Sequence, residues 1–212
     1  ESPWRESART EAESEVRDFP ISEKEVVTWI SVAVIFCCIC MAVPIVHLVP
    51  LLTDANFTLE FATSVLMVLM FCGAFGRILG GMLGDFMGAL PAYMLMSIGQ
   101  TISVVWFPHI STPLGIYLLA AFFGFTYSGV MSSILVCTRM MVSAKFAARA
   151  MSLTSFFGWT GMGLGGFFGG YFFDLQGTYI WSFAFAGIVG FVNVLILWQF
   201  WLRIKRKQQL NY

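Results

Sequence analysis

The nine-residue pattern Gly-Gly-x-x-x-Asp-x-x-Gly occurs twice in this chain, as Gly80, Gly81, Asp85, Gly88 and, 89 residues on, as Gly169, Gly170, Asp174, Gly177. Each copy closes a long apolar segment, the second and the fifth of six. Getting from one copy to the other takes three crossings of any bilayer the segments span. An odd number of crossings reverses direction, so the copies fall on opposite faces, the mark of an inverted-topology repeat. A chance recurrence of glycine and a turn-forming Asp is the competing explanation.

The solvent follows from composition. With 58% hydrophobic and 11% charged residues, the chain falls far from a soluble domain, in which charged residues make up about a quarter. Six stretches are each long enough to cross a hydrocarbon core of about 30 Å as a helix: Val27–Leu52, Leu59–Leu83, Leu90–Phe107, Leu114–Val136, Ala150–Phe173 and Tyr179–Leu202. Lipid cannot satisfy the backbone of an isolated strand. Runs such as Phe122-Phe123-Gly124-Phe125 lack the two-residue alternation of a membrane barrel. The expected fold is therefore an all-α membrane domain of six transmembrane helices, two inverted three-helix repeats at about 26–108 and 113–202.

Basic residues orient it. Arg5, Arg9, Arg17 and Lys24 precede the first span, Arg139, Lys145 and Arg149 lie between the fourth and fifth, and Arg203, Lys205, Arg206 and Lys207 follow the sixth. The opposite loops, 53–58, 108–113 and 174–178, contain no Lys or Arg. By the positive-inside rule both termini are cytoplasmic, in a multi-pass protein of the plasma or inner membrane. The formal net charge of zero hides this asymmetry and gives no reason to expect a nucleic-acid partner.

Residues 1–25 are polar and acidic-rich and lack the charged start and apolar stretch of a signal peptide. They read as a largely disordered cytoplasmic linker into the domain at 26–202, which ends in a basic cytoplasmic tail at 203–212. Cys37, Cys38, Cys40, Cys72 and Cys137 all lie in apolar spans, with neither a disulfide framework nor metal spacing. No cofactor and no metal are expected. Asn56-Phe57-Thr58 matches a glycosylation acceptor but sits in a short loop against the bilayer.

Arg77 is the lone Lys or Arg inside the six spans. A charge near the membrane centre costs about 2.5–3.5 kcal/mol even on the lenient insertion scale. Asp85, eight residues on, is about 12 Å away along a helix axis, too far to pair within it. One reading is a cation facing a cavity, where a guanidinium fork matches a carboxylate. The other is an arginine that snorkels to the interface. His47, three residues after Pro44, is either a proton carrier or a neutral hydrogen-bonding group between helices. Thr126, Tyr127, Ser128, Ser132 and Ser133 on the fourth span either contact a solute or glue helices together. The fifth span carries spaced glycines from Gly158 to Gly166 and no ionisable side chain there. They suit close packing or bending.

The run Gly81-Met82-Leu83-Gly84-Asp85-Phe86-Met87-Gly88 resembles the signature between the second and third helices of each six-helix half in the major facilitator superfamily. Phe86, Ala89 and Leu90 stand where that signature commonly has basic residues. The resemblance extends over 26–202. Phe71 to Asp85 with Arg77, Ala121 to Ser133, and Pro44 resemble more narrowly the carboxyl-terminal half of monocarboxylate-porter and oxalate–formate antiporter relatives. The resemblance implies that the glycines allow close helix approach and that Asp85 caps a neighbouring helix. It further implies that Arg77 holds the substrate carboxylate and that the fourth helix faces the cavity, which makes Tyr127 and Ser128 candidate substrate contacts; His47, read from its own chemistry, is a further candidate. Gly73 stands where such porters commonly have an acidic residue. That departure counts against proton coupling through the pair and opens exchange, or a carboxylate from the amino-terminal half, in its place.

An enzyme is not expected. There is no Gly-x-Ser-x-Gly, no His-Glu-x-x-His and no nucleotide loop, and His47 and His109 have no carboxylate at catalytic spacing within the spans. The expected function is alternating-access transport of a small organic anion, a monocarboxylate, by the carboxyl-terminal half of a transporter. Its partners would be that anion, the bilayer, an amino-terminal six-helix half and, as a coupling ion left open, the proton. The alternatives are transport of another solute class and a non-transporting six-helix scaffold or sensor.

Overall fold

The computed structural model describes residues 21–210. Most of the expected linker, with Arg5, Arg9 and Arg17, lies outside them. Among the described residues six α-helices follow in order: α1 Glu23–Asp54, α2 Leu59–Met87, α3 Ala89–Trp106, α4 Pro113–Met140, α5 Ala144–Gln176 and α6 Tyr179–Leu210, with one 3-10 turn at Phe107–His109. No strand is present among the described residues.

The helices overrun the apolar spans because a helix stops where its backbone is broken rather than where its side chains turn polar. The 32 residues of α1 cover about 48 Å at 1.5 Å per residue. Ser22 starts it, its hydroxyl accepting the Glu25 amide at 3.4 Å, so Glu23 and Glu25 are helical. Thr58 starts α2 in the same way, accepting the Phe61 amide at 3.2 Å. Residues 203–210 of the basic tail continue α6. Five of the helices are each long and apolar enough to cross a membrane. The exception is α5, 33 residues long, whose apolar character is diluted by glycines from Gly158 to Gly170. Its packing along α1 carries it through the bundle.

The two repeats are visible in the packing. The most extensive contacts are α2 on α4 and α1 on α5, followed by α3 on α4, α6 on α1 and α3 on α6. Exchanging α1–α3 for α4–α6 maps this set onto itself. Both main seams are glycine-lined. On α2, Gly73, Gly76, Gly80 and Gly84 are buried; on α5, Gly158, Gly161, Gly165 and Gly169 are. A methyl group at Gly76 would overlap the Phe125 carbonyl, and one at Gly165 would lie 2.5 Å from that of Ile39. The backbones therefore touch, as small residues permit in membrane helices. Gly88 (φ 96°) ends α2 and Gly177 (φ 67°) ends α5, the described glycines with positive φ. The last glycine of each motif copy thus ends its helix with a positive φ, Gly177 in the left-handed helical region and Gly88 at a ψ of 148°.

Behind the seams, α3 and α6 are joined by amides. Asn193 donates to the Ser97 hydroxyl at 3.0 Å and accepts from Tyr93 at 3.4 Å. Gln100 donates to the Cys37 carbonyl of α1 at 3.2 Å. All four polar side chains are fully buried.

Candidate functional site

Arg77 adjoins the glycine stripe of α2 and is exposed. Among the described residues its guanidinium has no ion pair and no hydrogen bond. Seven residues earlier, two turns and about 10 Å along the same side of the helix, Met70 accepts the Tyr127 hydroxyl through its sulfur at 3.5 Å. Tyr127 is half-buried and stacks on Phe123, with ring centroids 5.7 Å apart. The other flank of α2 is different. There Leu79, Leu83 and Phe86 join Leu95 and Ile98 of α3 and Phe122 of α4 in an apolar trough of about 710 Å³. Arg77 and Tyr127 thus share the flank of the α2–α4 seam that faces away from α3.

Ser128 is inside that seam. It is 2% exposed, and a methyl at Gly73 would come within 2.6 Å of its hydroxyl. Its place is between helices, beside the site. Ser133 is likewise buried, its hydroxyl directed at the Gly80 carbonyl at 3.5 Å, while Thr126 bonds the carbonyls of Phe122 and Phe123 on its own helix.

His47 belongs to the other seam. Its Nε2 is 2.9 Å from the Gly166 carbonyl of α5; a carbonyl only accepts, so Nε2 carries the proton. The ring lies 5.6 Å from that of Tyr179, and a methyl at Gly169 would sit 2.5 Å from its edge. The structure therefore joins Tyr127 to Met70, leaves Arg77 about 10 Å further along the same side of α2, and sets Ser128 and His47 apart in the two helix seams.

The motif residues divide by role. Gly80 packs on Gly129, where an added methyl would lie 2.7 Å from the α carbon, whereas nothing lies within 4 Å of Gly81. Gly169 is buried against His47 and Gly170 lies beside it. The expected Asp85 cap is not formed. Asp85 is exposed, and α3 starts at Gly88 with no side-chain cap, because a positive-φ glycine makes the turn without one. Asp174 is also exposed, and the Gly177 amide closes α5 by donating to the Phe173 carbonyl at 2.7 Å. A carboxylate does serve a helix start elsewhere. Glu23 accepts the amide of Ser143, which precedes α5, at 2.6 Å.

Sequence reasoning passed over Met70, which carries no signal of its own, and the Gln100–Asn193 amides. Those were detectable, since amides inside apolar spans seek partners.

A family model described as the Major Facilitator Superfamily matches residues 19–211. A search of curated proteins gives no match.

Proposed function

The chain belongs to the Major Facilitator Superfamily, whose members are membrane transporters, and on that premise we propose that it is the carboxyl-terminal half of a transporter for a small organic anion, a monocarboxylate, with Arg77 as the anion anchor. The observation that carries this reading is the α2 guanidinium, without an ion pair among the described residues, on the flank of the α2–α4 seam that also bears Tyr127 of α4. A cation left without a carboxylate partner in its own bundle is held for an anion that arrives from outside it. The planar fork of arginine offers a carboxylate two parallel hydrogen bonds. Tyr127, anchored by ring stacking and only weakly held by a thioether, supplies a hydroxyl free to turn toward the same anion.

In this reading Ser128 and His47 support the site from within the seams. The two halves then rock against each other around the site, with both termini in the cytoplasm. The test is Arg77→Lys in the complete transporter, with initial uptake of labelled lactate, pyruvate, formate and oxalate compared at matched surface expression. Lysine keeps the charge and loses the fork, so most uptake is lost if the fork holds the substrate. Near wild-type uptake of a confirmed substrate would move Arg77 to the interface, where a lysine stem reaches equally well.

A further inference from the structure

We propose that the groove between α1 and α6, at the end of the bundle where α1 begins and α6 ends, binds the phosphate of an anionic phospholipid. The groove has a volume of about 420 Å³ and is lined by Trp29 of α1 and by Gln199, Leu202, Arg203, Arg206 and Lys207 of α6. That volume falls in the range of about 300–1,000 Å³ typical of small-molecule sites. The α6 residues recur at three- and four-residue intervals, so they form one helix face.

That face is graded. Gln199 and Leu202, beside Trp29, come first, and the three cations follow toward the helix end. Their charge is only partly neutralised. Glu25 pairs with Arg203 and, at 3.4 Å, with Lys207, so one carboxylate holds two cations in place. Arg206 is exposed and makes no ion pair among the described residues. Three cations against one carboxylate leave two positive charges on a pre-ordered wall.

Tryptophans fix the depth. Trp29 stacks on Phe200 with centroids 5.7 Å apart, Trp198 lies 5.3 Å from Trp201, and Lys205 sits 3.9 Å over the Trp201 ring. Such a cluster marks the headgroup level of a bilayer. A phosphate is matched by the arginine forks, and basic grooves between membrane helices suit anionic headgroups. The apolar wall of Trp29 and Leu202 selects the lipid over free phosphate. The glycerol and first methylenes of a lipid are buried there, and inorganic phosphate gains nothing from it.

The purified full chain in detergent is titrated with phosphatidylglycerol or phosphatidylcholine, and bound lipid is counted by native mass spectrometry. Wild type is expected to prefer phosphatidylglycerol. Each groove cation removed weakens its binding about fivefold, so Arg206→Gln with Lys207→Gln costs about 25-fold. The single Arg206→Gln, which breaks no ion pair among the described residues, reports even if the double variant unfolds. Lys145→Gln with Arg149→Gln removes the same charge from α5 at the same end and leaves binding unchanged. Equal losses in both double variants, no loss in Arg206→Gln, equal binding of the two lipids, or displacement of phosphatidylglycerol by millimolar inorganic phosphate would each overturn the proposal.

Discussion

At the scale of single residues, the seams make the sharpest statements, because glycine is required at some positions and merely present at others. A methyl at Gly76 meets the carbonyl of Phe125, and one at Gly124 meets that of Leu69. Backbone atoms cannot rotate away, so the helices themselves would have to part. Gly81, one residue beyond the buried Gly80, opens onto space. Gly76→Ala is therefore expected to destabilise the full chain by about 1–3 kcal/mol, the usual cost of overpacking. Gly81→Ala is neutral or stabilising, since alanine is favoured over glycine within a helix by about 1 kcal/mol. Thermal unfolding in detergent, followed by a thiol-reactive dye as the buried Cys37, Cys38, Cys40 and Cys137 become accessible, reads both. Indistinguishable melting curves would mean that the α2–α4 seam is looser than described.

At the scale of helices, the two seams run parallel. Val34, Ile39 and His47 ascend α1 in step with Gly158, Gly165 and Gly169 of α5, and Leu69 and Ser128 mark the same relation between α2 and α4. Asp54 and Asp174 therefore share one end of the bundle, and Asp85 and Arg139 share the other. In the orientation proposed from the basic residues, with both termini cytoplasmic, single cysteines at 54 and 174, in a background lacking the native cysteines, are expected to react with a membrane-impermeant thiol reagent in intact cells. Cysteines at 85 and 139 react only after permeabilisation. Labelling of position 139 from outside would invert the orientation while leaving the bundle intact.

At the scale of the molecule, the proposed half-transporter reading gives this six-helix bundle one wall of a cavity that forms between two such halves. The chain alone, purified and reconstituted into vesicles, is accordingly expected to give no uptake above empty vesicles, and transport by it would refute the half-transporter reading. Much of this fold was legible in the sequence. The helices follow from hydropathy and the breaks at Gly88 and Gly177 from backbone freedom, each a local property that one segment carries by itself, and the repeat follows from the spacing of two motif copies along the chain. The candidate site was legible only as a residue list. That Arg77 and Tyr127 share a flank, that Ser128 and His47 are enclosed, that Asp85 caps nothing, and that Glu25 meets Arg203 from 178 residues away were decided by tertiary structure. The physical reason is rotational: a helix apolar on every side has no face written in its hydropathy, so only the fit of glycine against backbone sets which way each side chain points.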